Sequence, residues 1–292
     1  MDENINREGW LYTISPKKRL IDLNFGEIWR YRDLLFLFVK RDVITVYKQT
    51  ILGPLWYFIQ PLLTSVIFTL VFNNIANIDT GNGIPPFLFN LAGITAWSYF
   101  KECLTGTSNT FKKNENIFGK VYFPRVIMPM SLVFSNLLKL VIQLLVFIAF
   151  YIYYVFFTLE ASQVSPQKTI VFLPFLIVLM GILGLGLGMI ISSMTTKYRD
   201  LPFLVTFGVQ LLMYGSAVMY PISYFKEKLP EYAWLVEYNP IAVIVEAFRN
   251  MMLNTGNVQI SDMIYVTVIS VIVFILGLIV FNRTEKSFID TV

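Results

Sequence analysis

Asn136, Lys139 and Gln143 stand inside the apolar run "LVFSNLLKLVIQLLVFIAFYIYYVFF" at spacings of three and four. Those spacings place an ammonium and two amides on one helical face. In apolar surroundings such a stripe must face a bundle interior or a wet cavity. Lys139 then serves either a ligand or a neighbouring carboxylate. Lys101 and Glu102 lie near the end of another apolar run, where Lys101 is expected to snorkel toward water. Glu246 and Arg249, at i and i+3, are placed to form an ion pair. Arg41 and Lys48 close a basic segment directly before "ILGPLWYFIQPLL". Cations in that position can hold an anionic group or simply bind anionic lipid.

Catalysis has little to work with. The chain contains no histidine and one cysteine, Cys103, so the commonest general base and metal ligand is absent and no disulfide can form within the chain. No G-x-x-x-x-G-K-[ST] string, G-x-S-x-G elbow or Cys/His cluster occurs, so no cofactor is expected on this chain and ATP is not bound by a P-loop of its own. The glycines of "GILGLGLGMI" resemble a dinucleotide loop but sit within the apolar run 169–194, with no preceding strand. They fit close helix–helix approach at Gly181, Gly184 and Gly188 instead.

The elements that must position these residues are membrane helices. Of the 292 residues, 56% are hydrophobic and 14% charged, against about 25% charged in a soluble domain. A crossing needs about 20 apolar residues. Six spans are expected, at 51–73, 87–105, 129–157, 169–194, 201–220 and 262–281. Together they predict an all-α integral membrane protein. The first 20 residues hold Asp2, Glu3, Glu8 and Lys17-Lys18-Arg19 and no apolar stretch, so no cleavable signal peptide is expected.

Six spans put both termini on one side, and the basic residues choose which. Arg7, Lys17, Lys18, Arg19, Arg30, Arg32, Lys40, Arg41, Lys48, Lys112, Lys113, Lys120, Arg125, Lys197, Arg199, Arg283 and Lys286 fall on that side; Lys168, Lys226, Lys228 and Arg249 fall opposite. Seventeen against four places both termini in the cytoplasm.

Three shorter elements complete the plan. "EIWRYRDLLFLFVKRDVITVYKQ" has too short an apolar centre to cross and is expected to lie in the cytoplasmic interface over 25–49, with Gly53-Pro54 as the corner into the first span. Pro61 removes one hydrogen bond from that span and clashes with the carbonyl of Tyr57, so a kink is expected there, and a neighbouring helix or a wet wall must satisfy the freed group. The loop "GTSNTFKKNENIFGKVYFPRVIMP" carries helix-cap residues Ser108, Asn109 and Thr110 and a stop at Gly119. It forms a short helix that either docks into a partner or rests on headgroups through Lys112 and Lys113. After the fifth span, apolar stretches broken by Pro221, Pro230 and Pro240 are too short to cross and are expected as re-entrant helices on the outer side.

Several strings in order, "RDLLFLFVKRDVITVYKQTILGPLWYFIQPLL", "IFGKVYFPRVIMPMS", "YRDLPFLV", "YPISYF…YNPIAVIVEAFRNMM" and "FNRTEKSFID", give the chain from about residue 25 onward its likeness. It resembles the membrane subunit of ABC-2 type polysaccharide exporters, which serve O-antigen, capsule and teichoic acid. The resemblance implies a transporter permease subunit, not an enzyme, in a bacterial cytoplasmic (inner) membrane. Two copies would form a channel, with two copies of a separate ATPase subunit carrying ATP and Mg and no nucleic acid involved. It further implies an interfacial helix over 25–49 and a transmembrane domain over 50–292; residues 1–24 fall outside the resemblance and are expected as an extra cytoplasmic arm.

The implied cargo is a polysaccharide linked to polyprenyl pyrophosphate, handled in contact with membrane lipids. Coupling to the ATPase would use the loop helix, through Phe111, Lys112, Asn114, Glu115 and Asn116. The re-entrant helices with Glu246 and Arg249 would shape the periplasmic mouth. Trp56, Tyr57, Phe58, Trp97, Tyr99, Phe100, Phe203, Phe207, Tyr214 and Tyr220 either supply stacking rings for sugars or fill membrane cores and belts. Arg41 and Lys48 would hold the pyrophosphate headgroup. Rival readings are an exporter of teichoic acid, drug or lipid, a passive channel, and an enzyme acting on polyprenyl lipids.

Overall fold

The computed structural model describes residues 25–49, 53–81, 83–118, 121, 123–158, 164–198 and 200–289; among them every regular element is helical. The expected arm over 1–24 lies outside the described residues.

Helices α1 (Phe25–Arg30) and α2 (Arg32–Gln49) meet at Tyr31. Asp33 in the first turn of α2 and Lys48 in its last oppose the helix dipole favourably. Leu35 and Phe38 are buried toward α6, while Trp29, Phe36 and Leu37 are exposed beside Arg32 and Lys40. Apolar residues exposed alongside cations are what an interfacial helix presents to lipid. The corner follows at Gly53, whose φ of +48° explains the glycine.

The first span begins with α3 (Trp56–Phe68), stays helical through Pro61 and ends as a π-helix, Thr69–Ile75. Helix α4 (Pro86–Ser108) starts on Pro86, where a missing N–H costs nothing. Only Asn109 separates it from α5 (Thr110–Phe118). Then come α6 (Ile127–Phe157) and α7 (Leu173–Thr195), the latter preceded by a 3-10 turn, Lys168–Phe172. Helix α8 (Leu201–Tyr214) is followed by α9 (Ile222–Lys228), α10 (Trp234–Glu237) and α11 (Pro240–Leu253), and α12 (Ile260–Ile289) closes the described chain.

Among the described residues, four helical stretches are long and apolar enough to cross a membrane: Trp56–Ile75, Ile127–Phe157, Lys168–Thr195 and Ile260–Thr284. They match expected spans one, three, four and six. The other two expected spans differ for separate reasons. Helix α4 has the length, about 35 Å for 23 residues. It is too polar to qualify, and it can be, because α3, α6, α7, α8 and α11 all pack on it and its Asn90, Thr95, Thr107 and Ser108 are buried in protein. Helix α8 stops at Tyr214 rather than reaching 220. Its 14 residues cover about 21 Å, short of a hydrocarbon core of about 30 Å. The helix ends because Ala217, at φ +51°, has left the right-handed region.

The core is held by α7, which lies between α4 and α12. Gly181, Gly184 and Gly188 line its α4 side: a Cβ at 184 would stand 2.9 Å from Cys103 Cβ, and one at 188 would stand 2.5 Å from Thr107 Cβ. On the other side Gly186 and Gly277 cross, and a Cβ on either would strike backbone of the opposite helix. Small residues let helices approach closely where lipid supplies no hydrophobic drive.

This crossing generates a test. Gly186→Val and Gly277→Val each should destabilise the fold by about 1–3 kcal/mol or more, since the opposing atoms are backbone and cannot rotate away. Gly208→Ala on α8, where an added Cβ meets nothing within 4 Å, should leave the unfolding midpoint in detergent unchanged or slightly raised. Thermal unfolding followed by size-exclusion fluorescence reads all three.

Candidate functional site

The polar stripe of α6 finds its surroundings between helices. Leu138, Val141, Leu145 and Ile148 of α6 are exposed, which turns Asn136, Lys139 and Gln143 inward. They border a cavity of about 440 Å³ whose other walls include Trp56, Tyr57 and Gln60 of α3, Trp97 and Tyr99 of α4, and Gln210 of α8. Lys139 Nζ lies 3.2 Å from Glu102 Oε2 and 5.4 Å from the centre of the Tyr57 ring. Glu102 Oε1 is also 3.9 Å from Lys101 Nζ. The neighbouring-carboxylate alternative for Lys139 is therefore present, and it borders a cavity as well.

Gln143 Nε2 donates to the carbonyl of Tyr57 at 3.1 Å. That carbonyl stands four residues before Pro61, which has no N–H to offer it. The proline in α3 and the glutamine in α6 are thus one device, which fixes the cavity wall and keeps the helix intact.

A second cavity, of about 690 Å³, lies between α2, α5 and α6. Arg41, Thr45, Lys113, Asn114 and Ser135 border it, and it shares Tyr57, Asn136 and Lys139 with the first. The two spaces therefore abut at those three residues. Arg41 donates twice to Asp42 Oδ1, from Nη2 at 2.8 Å and Nε at 3.0 Å, and lies 4.9 Å over the Phe38 ring. Lys48, paired with Arg41 in the sequence reading, is exposed at the end of α2 and forms no part of either wall. Lys113 takes its place beside the groove; helical position alone gave no signal for that, because α2 and α5 meet only in the folded chain.

The aromatic residues divide. Trp56, Tyr57, Trp97 and Tyr99 border the first cavity. Phe58 does not, and Phe100 is buried in the core against Trp97, at 5.7 Å between ring centres. Phe203, Phe207 and Tyr214 are exposed on α8. Tyr220 stacks on Phe225 and donates its hydroxyl to the Tyr214 carbonyl, so it closes the break after α8.

Helix α5 is anchored more deeply than a surface loop. Phe111 is fully buried and stacks on Phe281 at 4.5 Å, and its N–H donates to Ser192 Oγ at 3.4 Å. It is a core residue of the chain. Asn114 is buried and donates to the Thr110 carbonyl across a local kink. Lys112 and Lys113 are exposed. Glu115 and Asn116 are helical, and their side chains lie outside the described residues.

The fully buried Arg249 does more than pair with Glu246, whose Oε2 is 3.8 Å from its Nη1. Its guanidinium donates to the carbonyls of Ala217 at 2.7 Å, of Phe89 at 3.3 Å, and of Val218. It also lies 3.7 Å over the Phe89 ring. Burial pushes the Glu246 carboxyl up and the guanidinium down to about 10, each against the pull of the other.

Comparison with known proteins adds an independent line. The profile described as "ABC-2 type transporter" matches residues 33–253. An O-antigen export system permease protein RfbA of Klebsiella pneumoniae is 28% identical over 88% of this chain and 94% of its own length. The RfbA permease of Myxococcus xanthus is 22% identical over 91% and 98%, and the polysialic acid transport protein KpsM of Escherichia coli 20% over 89% and 95%.

The Pro61–Gln143 pairing generates the second test. Gln143→Leu should destabilise the protein by about 1–3 kcal/mol by removing the hydrogen bond that ties α6 to the Tyr57 carbonyl. Pro61→Ala, which restores an N–H, should recover most of that loss in the double variant. A thermal-unfolding double-mutant cycle measures the coupling.

Proposed function

The chain belongs to the ABC-2 type transporter membrane family, and from that premise we propose that it forms the transmembrane conduit of an ATP-driven exporter of a polysaccharide linked to polyprenyl pyrophosphate. As a transporter permease subunit it is not an enzyme. Relatives named as O-antigen export permeases cover nearly the whole chain and support the polysaccharide cargo.

One observation carries the finer reading. A groove bordered by Arg41 and Lys113 abuts, at Tyr57, Asn136 and Lys139, a cavity rich in aromatic rings and amides. The basic groove suits a pyrophosphate headgroup, by charge-assisted hydrogen bonds. The rings of Trp56, Tyr57, Trp97 and Tyr99 suit sugar faces, and Gln60, Gln143 and Gln210 offer exchangeable hydrogen bonds. A glycan can slide along such a wall because each contact is weak and is replaced by the next.

In this reading two copies of the chain face one another across the conduit, and each engages one copy of a separate ATPase, which binds ATP and Mg. Both termini and α5 face the cytoplasm, in a bacterial inner membrane, and α9–α11 form the outer mouth. Phe111 couples α5 to α12 and α7 through the core, while Lys112 offers the surface contact to the ATPase. This division separates two substitutions. Phe111→Ala should destabilise the fold by about 3–5 kcal/mol. Lys112→Glu should leave the fold unchanged and lower ATPase co-purification and transport-linked ATP turnover severalfold.

The decisive measurement is purification from native membranes. An ATPase subunit and a lipid-linked glycan should both come with the chain, and deleting the chain should trap the glycan inside the cell. Orientation is read by an impermeant thiol reagent in a Cys103-free background: Lys228→Cys should label in cells with a permeabilised outer barrier, and Lys113→Cys should not. Labelling at 113 would reverse the proposed topology.

A further inference from the structure

Of the three residues that border both cavities, Lys139 is the cation. Its side chain and that of Glu102 are 25% and 42% exposed, so their 3.2 Å contact borders open space and is not sealed in the core. Glu102 has a second cation in reserve, since Lys101 Nζ stands 3.9 Å from its other oxygen. Lys139 can therefore turn from Glu102 without leaving a carboxylate bare. On the groove side, an approaching anion would find the Asn136 amide beside that same ammonium, while the Ser135 hydroxyl there donates to the Ser131 carbonyl at 2.8 Å. Arg41, at the groove's margin, is already engaged by Asp42.

We infer that Lys139 is a charge-exchange residue: it trades Glu102 for a lipid-linked phosphoryl anion arriving through the groove between α2, α5 and α6. Glu102 is the resident counterion, and it falls back on Lys101 as the anion binds. The exchange ties occupancy of the cytoplasm-facing groove to the wall of the aromatic cavity, because Lys139 also covers the Tyr57 ring. The inference rests on the export reading only for the identity of the lipid.

A static structural ion pair and an exchanging one make opposite predictions. If the pair is structural, removing either partner harms the same property. If Glu102 competes with the ligand, removing Glu102 strengthens ligand binding and removing Lys139 weakens it. The test uses the full-length chain in phosphatidylcholine nanodiscs. Polyprenyl pyrophosphate and phosphatidylglycerol are titrated separately and binding is read by native mass spectrometry. Lys139→Met should weaken binding by about tenfold or more, the scale of one charge-assisted hydrogen bond. Lys139→Arg should stay within about threefold of the parent, and Glu102→Gln should tighten binding, because it removes a competing anion from the ammonium. Lys139→Arg and Glu102→Gln also stand as the readable variants if Lys139→Met fails to fold.

Parallel weakening in Lys139→Met and Glu102→Gln, or no change in both, overturns the exchange. Preference for polyprenyl pyrophosphate assigns the anion to the cargo lipid. Equal affinity for phosphatidylglycerol, with the same opposite responses, supports the exchange with membrane phospholipid as its ligand and removes the cargo assignment alone. Absence of binding by the parent chain overturns the exchange and leaves the ATPase co-purification to judge the export reading.

Discussion

The guanidinium of Arg249 is the tie on which the part of the molecule after α8 depends. Helix α8 ends well short of a full crossing, and the chain after it carries carbonyls with no helical donor. In a membrane protein such groups must be satisfied by protein. Arg249 does this from α11, reaching the carbonyls of Ala217 and Val218 and that of Phe89 in α4. Arginine suits the task because its planar fork presents several donors in fixed directions and keeps its charge. The charge is tolerated at full burial because Glu246 faces it and the Phe89 ring lies beneath it. Gly93 completes the arrangement, since a Cβ there would occupy the place of the guanidinium. Asn239 adds to the same repair by donating to the Gly215 carbonyl while it caps α11.

The same constraint recurs wherever a helix is interrupted. Pro61 frees the carbonyl of Tyr57, and Gln143 meets it from α6. The π-helix at the end of the first span is met by Asn90, which donates to Asn73 Oδ1 at 2.8 Å and Thr69 Oγ1 at 3.1 Å. Arg249 and Gln143 each bring a polar side chain from one helix to the backbone of another, whereas Asn90 meets side chains of the π-helix. The polar surface of the interior is therefore partly a consequence of how the helices are broken. At Pro61 this surface also borders a cavity, which is where the proposed conduit begins.

Rigidity and openness are distributed unequally. Helices α4, α7 and α12 meet through glycines at backbone distance and form the tight part of the bundle. Helices α3 and α8 lean on α4 and keep broad apolar faces outward, among them Leu63, Val66, Ile67, Phe203, Phe207 and Leu211. Those faces are available to lipid or to a second copy of the chain, and the polar cavity lies just behind them. Helix α5 is bonded to the tight part through Phe111, so a push on its exposed lysines would reach α7 and α12 by packed contacts.

Much of this protein was determined by its sequence alone. Apolar runs marked six spans, four of which are helices long and apolar enough to cross among the described residues, because hydrocarbon admits only backbone that satisfies itself. The spacing of Asn136, Lys139 and Gln143 placed one polar stripe on α6, and Pro61 identified a carbonyl in need of a donor. The family likeness followed from ordered strings that local chemistry had no other reason to repeat. Tertiary structure decided the partners. Gln143 lies 86 residues from Tyr57 and Glu102 lies 37 from Lys139, so no local pattern could join them. It separated Phe111, which is core, from Lys112, which is surface, although both stand on one short helix. It also shortened α8 at Tyr214 through an apolar run that reads as continuous helix, because the buried donors of Arg249 and Asn239 make an unwound backbone affordable there. Helix periodicity is written locally, but satisfaction of a broken backbone depends on groups that only folding brings together.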